Sequence, residues 1–431
     1  MTPNAAEPVA PPADRPPPGP GYYLRRGLKT LASLQLTVVL FALSIGLIFF
    51  GTVAQMDYGI WTVVDRYFWS WAVWVPFDLF AKIGIVFFGL PPDTHWGGSF
   101  PYPAGKLLGG AMLLNLLAAH LVRFRLTWKR TGILLIHSGL ILLFVGEFIT
   151  REYAVEQRMT IEEGETVNYT EDSRNFELAF IDHSDPAADH VVAIPSKRLR
   201  RAEGRITHPD LPVDVQVDRY MVNSTLARPT ADRPNPATGG HAVSPGEEVV
   251  AVEQPEVSGV DPQQRMDVPS AYVTFYEKDT DKKLATYLVS LRLKDDTLSV
   301  GDKKYDLSFR FARYYKPYAL KLLEFHHDLY VGTNKPRNFS SKVDVIEERP
   351  GGAPEVVMSG VVISMNNPLR YHGETFYQAD WNKVTEKGTV LQVVRNPGWL
   401  IPYISCVVVT LGLVLHFGIY LTQFLVRRAA A

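Results

Sequence analysis

Cysteine is almost missing: Cys406 is the single one in 431 residues. That excludes a disulfide within the chain, a CxxC redox pair and a cysteine-based zinc site. Cys406 lies in an apolar block and reads as lipid- or helix-facing packing. An excess of basic charge is missing too. Forty-four Lys and Arg stand against 45 Asp and Glu, for a net charge of -1. A nucleic-acid binder needs a basic excess to offset phosphates, so that class is excluded. No GxSxG, HExxH, P-loop or GxGxxG element occurs, and the 151–399 stretch has no HxH or HxxxH spacing. Hydrolase and nucleotide-enzyme readings have nothing to stand on. No internal repeat is visible.

What is present is a set of long apolar blocks. About 20 apolar residues cross a hydrocarbon core of about 30 Å. Four segments qualify: about 33–53, 105–123, 131–150 and 400–426. With their flanks they give a first transmembrane helix over 24–56, a hairpin of helices two and three over 104–150, and a fourth helix over 400–427. Residues 1–23 form a proline-rich tail, with eight prolines in the first 20 positions and no apolar run. Such a stretch cannot bury enough surface to offset its ordering entropy, so disorder is expected. It does not read as a signal peptide, because the apolar segment starts late and runs long.

Basic residues set the expected orientation. Arg25, Arg26 and Lys29 precede the first span. Arg123, Arg125, Lys129 and Arg130 fill the turn between the second and third, and Arg427 and Arg428 follow the fourth. Four spans put all three clusters on one side, the cytoplasm, with both termini there and residues 151–399 outside. The aromatic stretch 67–90 is interrupted by Pro76, Asp78 and Lys82. A fifth span would separate the basic clusters. The 57–103 region is therefore expected as an outer loop lying at the interface, where Trp and Tyr are favoured.

Residues 151–399 alternate with period two. Val213, Val215 and Val217 share one face; Val273 and Phe275 share another; so do Leu307, Phe309 and Phe311. FELAFID, ATYLVSLRL, VDVIEE and TVLQVVR continue the pattern. Turn signals at Gly301-Asp302, Pro350-Gly351-Gly352 and Asn396-Pro397-Gly398 punctuate it. The expected fold is an integral membrane α-helical protein with four transmembrane helices. A large antiparallel β-rich extracytoplasmic domain, sandwich or barrel, stands between helices three and four. Within it, about 228–268 is rich in Pro, Gly and acidic residues and is expected to be a flexible insertion.

Three of the eleven histidines fall in spans: His120, His137 and His416. An imidazole in hydrocarbon costs about 1–3 kcal/mol if unpaired, so each needs a partner. His120 precedes the basic turn and His137 follows it by a similar number of residues, so a hairpin sets them at comparable depth. The mismatch is about 3 Å at the helical rise per residue. His416 stands about ten residues before the last arginines, by the same helical rise also in the inner half. Such a set can ligate a metal or a haem iron. The plainer reading is that each hydrogen-bonds a carbonyl or hydroxyl and packs helices. Asn115 reads as helix–helix glue, Glu147 as an interfacial charge or cap, and His326, His327 and His372 as surface or turn residues.

The chain resembles the ResB-like cytochrome c biogenesis proteins of the system II haem-attachment pathway. The first span reads LASLQLTVVL and ends in GTVAQ. The third opens after its basic turn as WKRTGILLIHSGLILLFVGE and is followed by MTIEEGETV. RNFSSKVDV and ISMNNPLRYHGETFYQADW stand late in the β region, and a last span closes the chain. The similarity covers about 24–427, apart from the insertion, and rests on the order of these elements rather than on one motif. The aromatic outer loop is longer than the family pattern.

The resemblance implies a subunit, not an enzyme by itself, of a haem lyase complex in the cytoplasmic membrane. It implies a partner of the ResC/CcsA type and haem b as the group handled. It implies apocytochrome c, with its CxxCH cysteines, as acceptor, and a thioredoxin-like thiol reductase as a further partner. WSWAVW at 69–74 lacks the tryptophan-rich WWD pattern of the partner, so this chain corresponds to the ResB half. The family's third-span histidine, a proposed haem ligand, maps onto His137; His120 and His416 have no such counterpart. Two other readings remain: a b-type cytochrome with two span histidines on one haem, and a cofactor-free membrane-anchored interaction or sensor protein.

Overall fold

The computed structural model describes residues 20–123, 127–186, 188–201, 203–246, 248–258, 266–330, 332, 336–347, 353–383 and 385–430. The chain divides into two compact units. One comprises Met1–Ala54, Trp61–Phe148 and Leu400–Ala431; the other comprises Gln55–Ile60 and Ile149–Trp399.

The first unit is helical. Its opening helix α1 (Pro20–Leu31) stops before Ala32, and α2 (Leu34–Ala54) begins after Ser33. The expected first span is thus two helices, and only α2 is long and apolar enough to cross a membrane. The break has a local cause. The Ser33 hydroxyl accepts from the Leu36 N–H at 3.0 Å, an N-cap for α2. A short helix α3 (Ile60–Val63) and a π-helical turn over Val64–Phe68 follow. The aromatic stretch then folds as strand β1 (Ala72–Pro76), helix α4 (Asp78–Phe88) and strand β2 (Ser99–Pro103). The two strands pair antiparallel. At eleven residues α4 is about 16 Å long, half of what a span needs. Phe50, Phe80, Phe100 and Tyr102 stack edge to face, and the Tyr102 hydroxyl donates to the Leu43 carbonyl at 2.9 Å. The aromatic loop is thereby pinned to α2.

Helix α5 (Gly105–Arg123) packs on α1 and α2. Its buried Asn115 accepts from the Thr37 hydroxyl at 2.7 Å and donates to the carbonyls of Leu31 at 2.5 Å and Ser33 at 3.2 Å. These carbonyls are released by the break between α1 and α2, so one amide satisfies the groups the break exposes. Helix α6 (Thr131–Tyr153) completes the hairpin.

The second unit is β-rich. In chain order its elements are β3 (Val155–Glu162), β4 (Thr166–Asp182), β5 (His190–Pro195), α7 (Ser196–Arg200), β6 (Arg205–Ile206) and β7 (Val213–Met221). Next come β8 (Ser224–Ala227), β9 (Val250–Glu253), β10 (Ser270–Glu277), β11 (Lys283–Ser290) and β12 (Asp296–Val300). The last are β13 (Lys303–Leu329), β14 (Pro336–Glu347), β15 (Glu355–Ser364), β16 (Leu369–Tyr371), β17 (Glu374–Trp381) and β18 (Gly388–Arg395). Every ladder between these strands is antiparallel, as the period-two reading requires. A ten-stranded sheet runs β15-β14-β13-β4-β3-β18-β17-β16, with β12 and β5 attached.

Two long strands, β4 and β13, each serve two cores. Their Phe176–Phe180 and Leu307–Phe311 halves pack against Val213, Val215, Val273 and Phe275 of the four-stranded sheet β11-β10-β7-β6. Their other ends, with Val167, Tyr318, Leu320 and Leu322, join Met159, Ile161, Val343, Phe376 and Leu391 in a second core. The alternation of Leu307, Phe309 and Phe311 was legible because only one face of that stretch is apolar.

The segment expected as a flexible insertion is folded over its described residues. β8 and β9 pair, and Ala237, Ala242 and Ala251 bury with Met221, Tyr272 and Leu288 in a third, smaller core. Tyr272 accepts the Ala251 N–H on its hydroxyl at 3.0 Å. Small apolar residues scattered among the prolines thus cover the second face of β10. Residues 259–265, and the turn signal at 350–352, lie outside the described residues.

The last helix, α8 (Ile401–Ala429), belongs to the helical unit. Gly132, Gly139 and Gly146 of α6 are buried, seven residues apart on one face. An added Cβ would stand 2.6 Å from the His416 nitrogen at Gly132, 2.5 Å from Val409 at Gly139 and 2.5 Å from Ile401 at Gly146. The Ser405 hydroxyl donates to the Gly139 carbonyl at 2.5 Å. α6 and α8 therefore approach backbone to backbone, the way helices associate in lipid. Among the described residues, four helices are long and apolar enough to cross a membrane: Leu34–Ala54, Gly105–Val122, Trp128–Tyr153 and Ile401–Ala429.

Candidate functional site

The α5–α6 hairpin brings two of the three span histidines together. The rings of His120 and His137 lie 5.8 Å apart between centroids, inclined at 58°. Both are half-buried. His137 Nδ1 stands 2.8 Å from the Ile133 carbonyl, one turn back on its own helix. A carbonyl only accepts, so Nδ1 carries the hydrogen and the lone pair of the neutral ring sits on Nε2. That is the tautomer an iron ligand through Nε2 requires.

His416 is placed differently. Its ring packs on Phe417 and Tyr420, with centroids 5.4 and 4.8 Å away. Its Nδ1 is buried with no hydrogen-bond partner among the described residues. Its ring pairs are with Phe417 and Tyr420, whereas the His120 ring pairs with His137. The reason is angular. Gly132 faces α8, and His137, five residues on, is turned about 140° around α6. Equal depth, which the sequence supplies, does not amount to one face. Among the described residues no group of three or more His, Cys, Asp or Glu could hold a metal ion. The pair offers two imidazoles and nothing more.

A second constellation, unseen in the sequence, occupies the β unit. β16 and β17 turn back through His372 and Gly373, both with positive φ, 48° and 76°. This is the two-residue hairpin geometry that favours glycine. Beside it, Lys316 Nζ meets Glu374 Oε1 at 2.6 Å and Gln157 Oε1 at 3.2 Å, with both charged side chains almost wholly buried. The Tyr318 hydroxyl donates to the other Glu374 oxygen. The Tyr371 hydroxyl donates to Glu347, which His372 Nε2 also meets at 3.1 Å. Burial, reinforced by the Glu374 carboxylate, pushes the Tyr318 hydroxyl far up. Burial and the Glu347 carboxylate push Tyr371 up to about 12. Both phenols stay protonated as donors at neutral pH. The signal was present as RYHGETFYQ, but Lys316 lies over fifty residues upstream, at the irregularity in the β13–β4 ladder between Tyr315 and Leu320.

On the opposite face of the same hairpin is a cleft of about 300 Å³ lined by Arg370, Thr375, Tyr377, Val394, Asn396 and Trp399, with the hairpin residues at its end. The Arg370 guanidinium lies 4.3 Å over the Trp399 ring.

Comparison with known proteins adds an independent line. The family model described as the ResB-like family matches residues 294–390, under a quarter of the chain and the part that builds β12 through β17. Protein NrfI of Wolinella succinogenes is 30% identical over 132 residues. That stretch covers 31% of this chain and 14% of that protein. The family match ends in the β unit and does not reach His120, His137 or His416. It does contain RNFSSKVDV and NNPLRYHGETFYQ, two of the elements on which the sequence resemblance rests. Through residues 294–390 this chain is similar to the ResB-like family.

Proposed function

We propose that this chain is a subunit of a membrane cytochrome c haem-attachment complex. It helps deliver haem b to the outer face for ligation to the CxxCH cysteines of apocytochrome c. The observation that carries this reading is the facing pair His120 and His137, in a chain whose β unit is ResB-like. Haem is cargo here. His137 holds its iron through Nε2, the nitrogen left with a lone pair by the Ile133 contact, and His120 supplies the second imidazole in reach. His416 stands apart and has a packing role. Four apolar helices support a membrane protein. The basic flanks support a cytoplasmic side for both termini and the α5–α6 turn, with the β unit outside. The partners are a ResC/CcsA-type protein and apocytochrome c, with a thioredoxin-like thiol reductase keeping the acceptor cysteines reduced.

The test is His137→Ala in the full chain, co-expressed with the partner. Haem retained on the purified complex and holocytochrome c yield are expected to fall together. His416→Ala is expected to leave both within twofold, about 0.4 kcal/mol. Unchanged haem and yield in His137→Ala would end the proposal.

The same pair favours a second reading, a bis-histidine b-type electron-transfer protein. If the chain alone, without a ResC/CcsA-type partner, holds haem with a six-coordinate spectrum lost in both His120→Ala and His137→Ala, that reading replaces the first.

A further inference from the structure

We propose that the cleft at Arg370 and Trp399 binds the phosphate of an anionic phospholipid headgroup. This goes beyond the haem reading and does not depend on it. Arg370 is directly opposite Thr375 across β16 and β17, and Tyr377 follows two residues on, so the three project from one face. Phe376 between them is fully buried on the other face. The outer face thus gathers a guanidinium and two hydroxyls around a slot of about 300 Å³.

The electrostatics favour an anion. The guanidinium is held over the Trp399 indole, which orients its N–H fork without neutralising it. No carboxylate pairs with Arg370 among the described residues. The carboxylate that also lines the cleft, Glu374, is already engaged by Lys316 and Tyr318 on the inner side. One uncompensated positive charge with hydrogen-bond donors beside it suits a phosphate monoanion.

The chain itself says where the phosphate comes from. Trp399 is followed by Leu400, the N-cap of α8, and α8 is apolar enough to cross a membrane. The other chain junction lies at the same edge. Thr150, just past the apolar stretch of α6, meets Asn396 at 3.4 Å, and a Cβ on Gly398 would stand 3.1 Å from the Thr150 hydroxyl. Both points where the β unit joins apolar helices therefore border the cleft. Trp399, 43% exposed, occupies the level at which tryptophan meets headgroups. Trp399 is one residue in sequence from an apolar helix long enough to cross a membrane, and the anion that such a helix brings near is lipid phosphate.

The full-length chain in neutral detergent is titrated with short-chain phosphatidylglycerol, short-chain phosphatidylcholine and inorganic phosphate, with adducts counted by native mass spectrometry. Phosphatidylglycerol is expected to bind best, and Arg370→Gln to weaken it about tenfold. Arg370→Lys, which keeps the charge and loses the fork, is expected to fall between them. Lys282→Gln, at an exposed lysine paired to Glu277, controls for overall charge and is expected to change nothing. An Arg370→Gln chain with an unaltered melting profile and unaltered phosphatidylglycerol binding overturns the proposal. So does an equal loss in Lys282→Gln. Inorganic phosphate binding as tightly as the lipid overturns the lipid as its source.

Discussion

Gly132 of α6 lies against the backbone of His416 of α8: a Cβ there would stand 2.6 Å from the His416 nitrogen and 2.7 Å from its Cα. Three such glycines at seven-residue spacing let the two helices touch without side chains between them. Gly139→Leu is expected to destabilise the helical unit by about 1–3 kcal/mol, because the new side chain meets Val409 and the Ser405 carbonyl. Gly110→Leu on α5, where nothing lies within 4 Å, is the control. Thermal unfolding of the two variants in detergent checks this. Equal melting profiles would show that the close approach is not what holds α8.

Asn115 is the second device of the helical unit. Its amide serves the Leu31 and Ser33 carbonyls and the Thr37 hydroxyl at once. Asn115→Leu keeps the branched outline and removes all three bonds. The expected cost is about 1–2 kcal/mol, at the upper end for one polar residue in lipid. The loss is local, so protease sensitivity should rise first near residues 31–37. Limited proteolysis with N-terminal mapping reads that directly.

Lys316 and Glu374 form a nearly buried ion pair. Removing one partner leaves a stranded charge, so Glu374→Ala is expected to cost the β unit about 3–5 kcal/mol. Replacing both, as Lys316→Met with Glu374→Leu, is expected to recover most of that loss. A double-mutant cycle by chemical denaturation measures the coupling. A cycle with no coupling would mean that the Tyr318 and Gln157 contacts, not the pair, hold the hairpin.

Much of the architecture was legible. α5, α6, α8 and most strands follow from apolar length and from alternation, which depend on local sequence. The break at Ala32 was missed because the residue that satisfies the carbonyls it releases, Asn115, is some eighty residues away. The folded 228–258 segment was missed because composition reports proline and glycine, while Ala237, Ala242 and Ala251 count only once a sheet face is there to receive them. For the site, depth could be counted from the basic turn, but the face of each helix could not. That is why three histidines at one level become one pair, His120 with His137, and one residue apart, His416. The glycines at 132, 139 and 146 were the available signal for the α8 face, and they place His137 on another side. The Lys316–Glu374 pair joins residues 58 apart in sequence, a contact that no local pattern encodes.

His183 ties β4 to β13 by charge. Its Nδ1 lies 2.6 Å from Asp189 and its Nε2 3.1 Å from Asp306. The hydrogen bonds to these two carboxylates hold its pKa above the ordinary 6.5. The imidazolium is therefore bound more tightly in the folded chain than in the unfolded one. Its contribution is fully present below about pH 6.5 and is lost as pH rises through the higher folded value. His183→Gln is expected to lower the melting temperature at pH 5.5 and to leave it unchanged at pH 9. The imidazole is exposed, so the difference is expected to shrink as salt is raised at pH 5.5. A His183→Gln deficit that persisted at pH 9 would assign the residue to packing rather than to charge.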